Sequence, residues 1–265
     1  MAPHSAWFDS KMAYTADEMH AGDGCHPDEA QALSDYLYGK FSEQEAAKRI
    51  TAAIVNEEIP SQETYRLWTL LSEALMELSD GDRHRTLDLL AQIRTLPPAS
   101  GIQWAQLPGL ASMWYDLDRL LLHGGFGIGM FDPGSEDELR RVYEAVGRAE
   151  AEMLVRGLDV ANEDWGYEVL NLSCSDGPEL EVLIGQVFAW LEVARSKLKE
   201  KVETETAARG YVRSLDGDYS KRQTVEEALA EHWAAWKDRL LRIGQGETGL
   251  SSVAKGLAAQ GYKLM

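Results

Sequence analysis

The sequence predicts an all-α fold, a single compact domain of about ten helices with no β-sheet. Apolar side chains recur every three or four residues in one segment after another, which is the spacing of a buried helix face. Ser, Thr or Pro stands at the start of these segments and Gly or Pro at the end, as helix termini favour. No run of strand length alternates apolar with polar residues, and no hairpin turn separates two such runs.

The first residues differ from the rest of the chain because they lack a sustained apolar period. They are polar and interrupted by glycine, so residues 1–26 are predicted to form a mobile acidic arm. The remaining residues, 27–265, are predicted to form one all-helical domain, since no low-complexity linker divides them.

The helices predicted in the amino-terminal part have recognisable ends. Capping boxes accept hydrogen bonds from backbone N–H groups that a helix start leaves unpaired. A proline at the first position has no such N–H group. Prolines and glycines then stop the helices by removing donors or by adopting a left-handed turn. In chain order these segments are Pro27 to Gly39, Ser42 to Pro60, Glu63 to Leu78, 83–95 before Pro97, Pro108 to Gly124, and Ser135 to about Met153.

The carboxyl-terminal part is also predicted to be helical. The stretch Trp165 to Ser173 leaves helix and extended structure both open, because its sequence VLNLS suits either. The segments that follow are a long apolar helix from Pro178 to about Lys199, its continuation through Thr204 to Ser214, a late helix capped by Thr224 and Glu227, and a last helix from about Ser251.

The charge balance narrows the classes of partner. The chain has 26 basic and 44 acidic side chains, a formal net charge of −18 and a pI near 4.7. Nucleic-acid binding depends on basic side chains that neutralise phosphates, and anionic membranes attract basic clusters. We therefore predict neither nucleic acid nor membrane as a partner, whereas an acidic surface favours solubility or a basic protein partner.

The sequence favours a cytoplasmic location. Its two cysteines, Cys25 and Cys174, are too few for a disulfide framework, which suits a reducing compartment. We expect no secretion signal, because the first residues lack the apolar core of a signal peptide. The most apolar stretch, Val182 to Leu191, is about half the length that spans a bilayer.

One motif has the spacing of a terpene-synthase magnesium site. Asn171, Ser175 and Glu179 would share one helical face, as that site requires. Gly177 and Pro178 lie between them and break the helix that would carry them. A terpene-synthase site is therefore not predicted.

The glycine-rich segment 124–134, preceded by His123, is similar to an oxyanion loop or a dinucleotide fingerprint. The chain has no G-x-S-x-G nucleophile elbow, and no predicted strand precedes the glycines. We interpret the segment as a helix end followed by a loop. The alternative is a lid over a site in which His123 takes part.

A local set of metal-ligand residue types lies in the predicted arm. No second set follows at structural-zinc spacing, so no metal and no cofactor is predicted. The four residues are His20, Asp23, Cys25 and His26. The more distant His84 and His232 are predicted to lie on charged helical surfaces without a special role.

Aromatic residues are the most informative feature for function. Two segments far apart in sequence each combine aromatic rings with polar side chains, a mixture that lines ligand pockets and also occurs in cores with satisfied polar atoms. The predicted ligand-binding residues are Trp104, Trp114, Tyr115, Trp165, Tyr167 and Asn171. The predicted proton carriers are Asp116, Glu168 and His123. The tryptophans predicted to be core are Trp68, Trp233 and Trp236.

Several short motifs also resemble a known family in their order along the chain. They are Ser42-x-x-Glu45-Ala46-Ala47, Leu67-Trp68-x-Leu70-Leu71, Trp104-x-x-Leu107-Pro108, Trp114-x-Asp116, Leu170-Asn171 and Trp233-x-x-Trp236-Lys237. Together they resemble a fungal helical family catalogued as domain of unknown function 3632, over most of the chain from about Ser34, with a glycine-rich departure over 124–160. The resemblance implies an intracellular, all-helical protein of filamentous fungi, and it implies no activity, cofactor or catalytic residue.

Two functions from different classes fit these observations. The first is cofactor-independent binding of a small, largely apolar metabolite in a pocket between helices, with cyclisation or isomerisation as the reaction. Aromatic rings would shape the ligand, and the proton carriers would act on it. The second is an acidic helical module that binds a basic protein without catalysis. Oligomeric state and ligand identity do not follow from the sequence.

Overall fold

The computed structural model describes residues 5–13, 24–124, 135–175, 179–215, 218–247 and 249–265, without the side chains of 118–124 and 214–220. Internal contacts separate the chain into two compact units, Met1–His123 and Gly124–Met265. The first unit includes the residues of the predicted arm. The predicted division into an arm over 1–26 and one domain over 27–265 stays a prediction.

The described elements of the first unit are helices. They are α1 (Ser5–Lys11), α2 (Pro27–Leu37), α3 (Glu43–Val55), α4 (Pro60–Glu77), α5 (Asp80–Ile93) and α6 (Leu110–Gly124), with a 3₁₀ turn over Trp104–Gln106. The capping box predicted at Ser42 is confirmed by a hydrogen bond of 3.3 Å from the Glu45 N–H to the serine hydroxyl. Gly39 has a φ of 74°, the left-handed conformation that follows a helix end. Pro60 begins α4 rather than ending α3, because proline fits a first helical position.

Helix α1 lies within the segment that was predicted to form a mobile arm. Phe8 is buried, and the Trp7 indole N–H donates to the Glu77 carboxylate at 2.7 Å. The Lys11 ammonium lies 3.2 Å from Glu73 and 3.0 Å from Glu77. A helix of seven residues is too short to show a repeating apolar period, so pattern analysis does not detect it.

The second unit combines helices with a β-hairpin. Its elements are α7 (Glu136–Arg156), α8 (Glu163–Asn171), a 3₁₀ turn (Leu172–Cys174), α9 (Leu180–Thr204), β1 (Ala208–Leu215), β2 (Asp218–Ala228), α10 (Leu229–Gln245) and α11 (Ser252–Leu264). The prediction of a mostly helical fold is confirmed, whereas the prediction of no β-sheet is wrong. The stretch left open between helix and strand, 165–173, forms α8 and the 3₁₀ turn that follows.

The β-hairpin replaces two predicted helical features. β1 and β2 pair antiparallel, with Tyr211 opposite Val225, where a continuation of the long helix was expected. Thr224 and Glu227 lie within β2, so their capping-box spacing has no capping role. Helix α10 instead begins at Leu229, and the Glu231 carboxylate accepts the Ala228 N–H at 3.0 Å.

The strand pattern of β1 escapes sequence analysis because its inward face is not apolar. Arg209, Tyr211 and Arg213 are half-buried, while Gly210 and Val212 between them are exposed. Long arginine stems cover apolar surface while their charged ends stay hydrated or paired. Buried and exposed side chains therefore alternate along β1, as they do in a strand, but apolar and polar residue types do not.

Helix α9 forms the centre of the second unit. Every residue from Leu180 to Leu191 is buried, and the helix packs most extensively against α7. A side chain at Gly147 of α7 would place its Cβ 2.7 Å from the Gln186 carbonyl oxygen, and one at Gly166 of α8 would lie 2.8 Å from the Trp190 ring. Glycine at these positions lets both helices contact α9 closely. Among the described residues, no helix has the length and apolar character needed to cross a membrane.

Two buried carboxylates link α9 to its neighbours. Glu181 accepts hydrogen bonds from Arg140 of α7 at 2.7 Å, from the Ser251 N–H at 2.8 Å and from the Ser251 hydroxyl at 2.5 Å. Glu150 of α7 accepts the indole N–H of Trp190 at 2.9 Å. Buried carboxylates with several donors are stable in the folded protein, so these contacts fix the relative positions of α7, α9 and α11.

Replacing Gly147 by alanine is expected to destabilise the second unit. The new methyl group would meet the backbone of α9, and such overpacking costs about 1–3 kcal/mol. The matched control is Gly256→Ala in α11, where no atom lies within 4 Å of the added Cβ. That change should raise the free energy of unfolding by up to about 1 kcal/mol, the helix-propensity difference. Urea unfolding followed by circular dichroism measures both, and equal stabilities for the two variants would contradict the close crossing.

Candidate functional site

Two of the predicted ligand-binding tryptophans are core residues of the first unit. Trp104 and Trp114 are each 1% exposed. The Trp104 ring meets Trp68 edge-on at a centroid distance of 6.3 Å, and the Trp68 indole N–H donates to the Pro108 carbonyl at 2.7 Å. Leu107 has a φ of 44°, which turns the chain from the 3₁₀ turn toward α6. The Trp-x-x-Leu-Pro motif thus forms a packed corner around Trp68, which is buried as predicted.

The remaining predicted residues of this segment lie on α6. Tyr115 is 44% exposed and Asp116 is exposed. His123 is in the last turn of the helix, and its side chain lies outside the described residues. The segment 124–134, interpreted as a helix end and loop with a lid as the alternative, also lies outside the described residues, apart from Gly124 at the helix end.

The second predicted segment forms α8. The Asn162 side chain caps this helix by accepting the Trp165 N–H at 3.1 Å. Trp165 is half-buried and Glu168 is exposed, whereas Tyr167 is fully buried. Since the two predicted segments belong to different units, a site formed by both stays a prediction.

Tyr167 belongs to a group of aromatic rings that we call the aromatic–histidine cluster: Tyr167, Tyr211, His232 and Trp236. The Tyr211 ring meets His232 and Trp236 edge-on, at centroid distances of 4.8 and 5.2 Å. Trp236 stacks with His232 at 5.9 Å and with Tyr167 at 6.1 Å. The rings come from α8, β1 and α10, so three elements distant in sequence meet at one place.

Hydrogen bonds hold the rings in this arrangement. The Trp236 indole N–H donates to the Asn171 Oδ1 at 2.9 Å, and the Asn171 Nδ2 donates to the Val212 carbonyl at 2.9 Å. The Tyr167 hydroxyl donates to the Leu198 carbonyl at 2.7 Å. Burial raises the pKa of the Tyr167 hydroxyl, so it remains a donor at neutral pH. Asn171, a predicted ligand-binding residue, therefore joins the cluster to the hairpin.

Arg209 closes one side of the cluster. Its guanidinium donates to both oxygens of Glu205, at 2.7 and 2.8 Å, and to Asp164 at 2.7 Å. It also lies over the Tyr167 ring, 5.6 Å from the centroid. The hydrogen bond from Arg209 lowers the pKa of Asp164, so the Asp164 carboxylate is charged at neutral pH. The arginine charge is thus matched within the protein.

His232 is the residue that sequence analysis misjudged. It was predicted to lie on a charged surface, and its side chain is 0% exposed. The Nε2 lies 2.7 Å from the Arg209 carbonyl oxygen, and since a carbonyl only accepts, Nε2 carries the hydrogen. The Nδ1 is then an acceptor, and it is buried without a hydrogen-bond partner among the described residues. The spacing from His232 to Trp236, one helical turn along the apolar face, is the signal that could have revealed it.

Residue types that bind metals or act as nucleophiles also occur in the described part of the chain. No group of three or more His, Cys, Asp or Glu side chains comes together there as metal ligands. His20 and Asp23 of the predicted arm lie outside the described residues. Burial raises the pKa of the Cys25 thiol to about 12, so this cysteine is not a nucleophile while it stays buried.

Comparison with family models, with curated proteins and with solved structures finds no match to this chain. The resemblance to the fungal helical family of unknown function therefore stays a prediction. The chemistry of the aromatic–histidine cluster is the basis for assigning a function.

Replacing Asn171 by alanine is expected to destabilise the second unit by about 1–3 kcal/mol, because the buried Trp236 indole N–H would lose its acceptor. The matched control is Asn56→Ala in the first unit, whose side chain donates to the Ala52 carbonyl on an exposed surface. An exposed change of this kind should stay within about 0.5 kcal/mol. Thermal unfolding of both variants measures the difference, and an unchanged stability for N171A would show that the contact with Trp236 does not hold the cluster.

Proposed function

We propose that the second unit binds a small, flat, largely apolar molecule at the aromatic–histidine cluster, and that this molecule donates a hydrogen bond to His232 Nδ1. The observation that carries this proposal is the buried and unpaired Nδ1. Leaving a buried acceptor unpaired costs about 1–3 kcal/mol, and folded proteins seldom leave one so. A ligand with one N–H or O–H group would supply the missing partner.

The surroundings of His232 favour an uncharged aromatic ligand. The cluster offers ring faces and edges, which attract other rings in stacked or edge-on geometry. Arg209, the nearby cation, is already engaged by Glu205 and Asp164. An anionic ligand would have to break these ion pairs, whereas a neutral ring with a donor leaves them intact.

Access to His232 requires the movement of one side chain of the hairpin. Tyr211 lies against both His232 and Trp236 and is itself half-buried. Gly210 and Val212 lie on the opposite, exposed face of β1, so the Tyr211 ring itself is the part of this strand that would have to move. A ligand that displaces the Tyr211 ring would reach Nδ1 while the helices of the unit stay in place.

The site also provides the chemistry for a proton-transfer reaction without a cofactor. His232 Nδ1 would take a proton from one atom of the ligand and return it to another, which is an isomerisation. Meanwhile Nε2–H keeps its hydrogen bond to Arg209, and the Trp236 face stabilises the imidazolium. Burial, with a smaller contribution from Glu168, raises the pKa of Tyr211, so the predicted proton carrier Glu168 lies near this cluster. His232 thus takes the role that sequence analysis assigned to His123.

A cytoplasmic location is also proposed, and the small number of cysteines supports it. The alternative, an acidic module for a basic protein partner, rests on the net charge of −18 alone. It becomes the preferred hypothesis when the ligand test below fails.

The proposal predicts that neutral aromatic donors bind in preference to their methylated counterparts. Indole and phenol should bind and shift the His232 ring nitrogens in histidine-labelled ¹⁵N spectra, since they donate to Nδ1. 1-Methylindole and anisole lack the donor and should bind about tenfold more weakly, the equivalent of one hydrogen bond. His232→Phe should remove this difference.

Asp116→Asn is the matched control, since it alters a predicted proton carrier in the first unit and should leave the preference unchanged. Loss of binding in D116N but not in H232F would favour the site predicted from both sequence segments. Equal affinities for the donor and methylated probes, or no shift of His232, would overturn the proposal.

A further inference from the structure

The amino-terminal helix of the first unit is fastened to the start of α2. We call the stretches 5–13 and 24–26 together the amino-terminal latch. The Cys25 N–H donates to the Lys11 carbonyl at 2.8 Å, and the Ala13 N–H donates to the Cys25 carbonyl at 3.0 Å. The Cys25 side chain is buried at this junction. The junction and the contacts of α1 with α4 hold the latch closed.

Gly24 allows the two stretches to approach so closely. Its φ is 76°, and an added Cβ would lie 2.8 Å from both the Lys11 carbonyl oxygen and the Ala13 nitrogen. The Gly24 carbonyl in turn accepts a hydrogen bond of 3.0 Å from Arg66 of α4. The closed latch thus depends on a short segment with little freedom to adjust.

Glu29 lies at the base of the latch and is fully buried. Its Oε2 accepts the His26 N–H at 2.9 Å and so caps α2. Its Oε1 has no hydrogen-bond partner among the described residues. Arg66 is near enough to favour the charged form, yet it donates to the Glu63 carboxylate at 3.0 Å. Glu29 therefore lacks the donors that a buried carboxylate needs.

Acidic groups outnumber cations around Glu29 among the described residues. Within that part of the chain, the titratable and charged groups that face it or its neighbour Cys25 are His26, Glu57, Glu63, Tyr65, Arg66 and Glu73. Glu73 is itself buried and is paired with Lys11 of α1. Burial, followed by the repulsion from Glu63 and Glu57, raises the pKa of Glu29 to about 8.

We propose that loss of the Glu29 proton releases the amino-terminal latch and exposes the Cys25 thiol. A charged carboxylate cannot stay in this site without new donors, and water supplies them when the latch opens. The device lies entirely within the first unit and does not rest on the ligand site proposed in the second unit. Cys25 becomes reactive only after opening, because the closed latch buries it.

Linkage gives the direction and the pH range of the effect. In the open state Glu29 returns to its ordinary pKa of 4.5, whereas in the closed state its pKa is about 8. The closed state therefore binds the proton more tightly and is most stable at low pH. The equilibrium constant for opening the latch should rise about tenfold per pH unit between pH 4.5 and about 8. Above about pH 8 it should become constant.

Thiol reactivity of Cys25 measures the opening. In a Cys174→Ser background Cys25 is the only cysteine, and its reaction with an aromatic disulfide reagent is followed from about pH 6 to 9. Dividing each rate by that of the chain unfolded in urea removes the ordinary titration of the thiol. The rate normalised in this way should rise about tenfold per pH unit up to about pH 8 and then become constant.

Glu29→Gln should abolish this rise, since glutamine keeps the acceptor for the His26 N–H and cannot ionise. Glu43→Gln is the matched control in the exposed first turn of α3, and it should keep the rise. Trp7→Phe loses the bond to Glu77, so it should raise the rate at every pH and leave the slope unchanged. Low urea should affect the rate only weakly, because the opening is local.

An equal slope in E29Q and in the reference protein would overturn the proposal. A reaction rate that increases with urea as steeply as global unfolding does would also overturn it. Cys25 would then be exposed by loss of the whole fold. A flat profile in both E29Q and E43Q would show that no single carboxyl controls the latch, and it would overturn the proposal equally.

Discussion

The second unit depends on how closely its helices can approach the backbone of α9. α7 and α8 each contact it through a glycine, Gly147 and Gly166, and any side chain there would meet an atom of α9 at under 3 Å. This spacing also sets the position of the aromatic–histidine cluster. The position of α8 on α9 brings the Tyr167 hydroxyl to the Leu198 carbonyl and places Asn171 beside Trp236. A shift of α8 would therefore disturb the rings.

Buried polar groups divide into two kinds in this protein. Glu181 and Glu150 accept hydrogen bonds from several donors on neighbouring helices, and they hold elements together. Glu29 Oε1 and His232 Nδ1 are buried without a hydrogen-bond partner in the described part of the chain. The first kind stabilises the fold, because the hydrogen bonds that these carboxylates accept offset the cost of burying them. The second kind leaves a cost that a proton or a ligand can remove, and this is why both proposals concern these two residues.

Local signals in the sequence predicted most helices, and tertiary context decided the rest. Ser42 and Ser135 cap their helices as the spacing of serine and glutamate indicates. Thr224 and Glu227 have the same spacing and lie in a strand, because the pairing of β1 with β2 outweighs a local cap. Tyr167 and Asn171 were identified on α8 as candidate ligand-binding residues, but the cluster members Tyr211 and His232 were not. Arginines stand two residues before and after Tyr211, and a glutamate precedes His232, so neither looks buried in a linear pattern. Trp104, by contrast, stands near a loop and is nevertheless buried against Trp68.

The glycine contacts of the second unit also affect how this protein can diverge. Two helix crossings tolerate almost no side chain, whereas the exposed positions of α7 and α8 accept many polar residues. Relatives with the same architecture could therefore differ at most exposed positions and still share these two glycines. In a set of distant orthologues, the spacing between such small residues would identify the fold better than overall sequence identity.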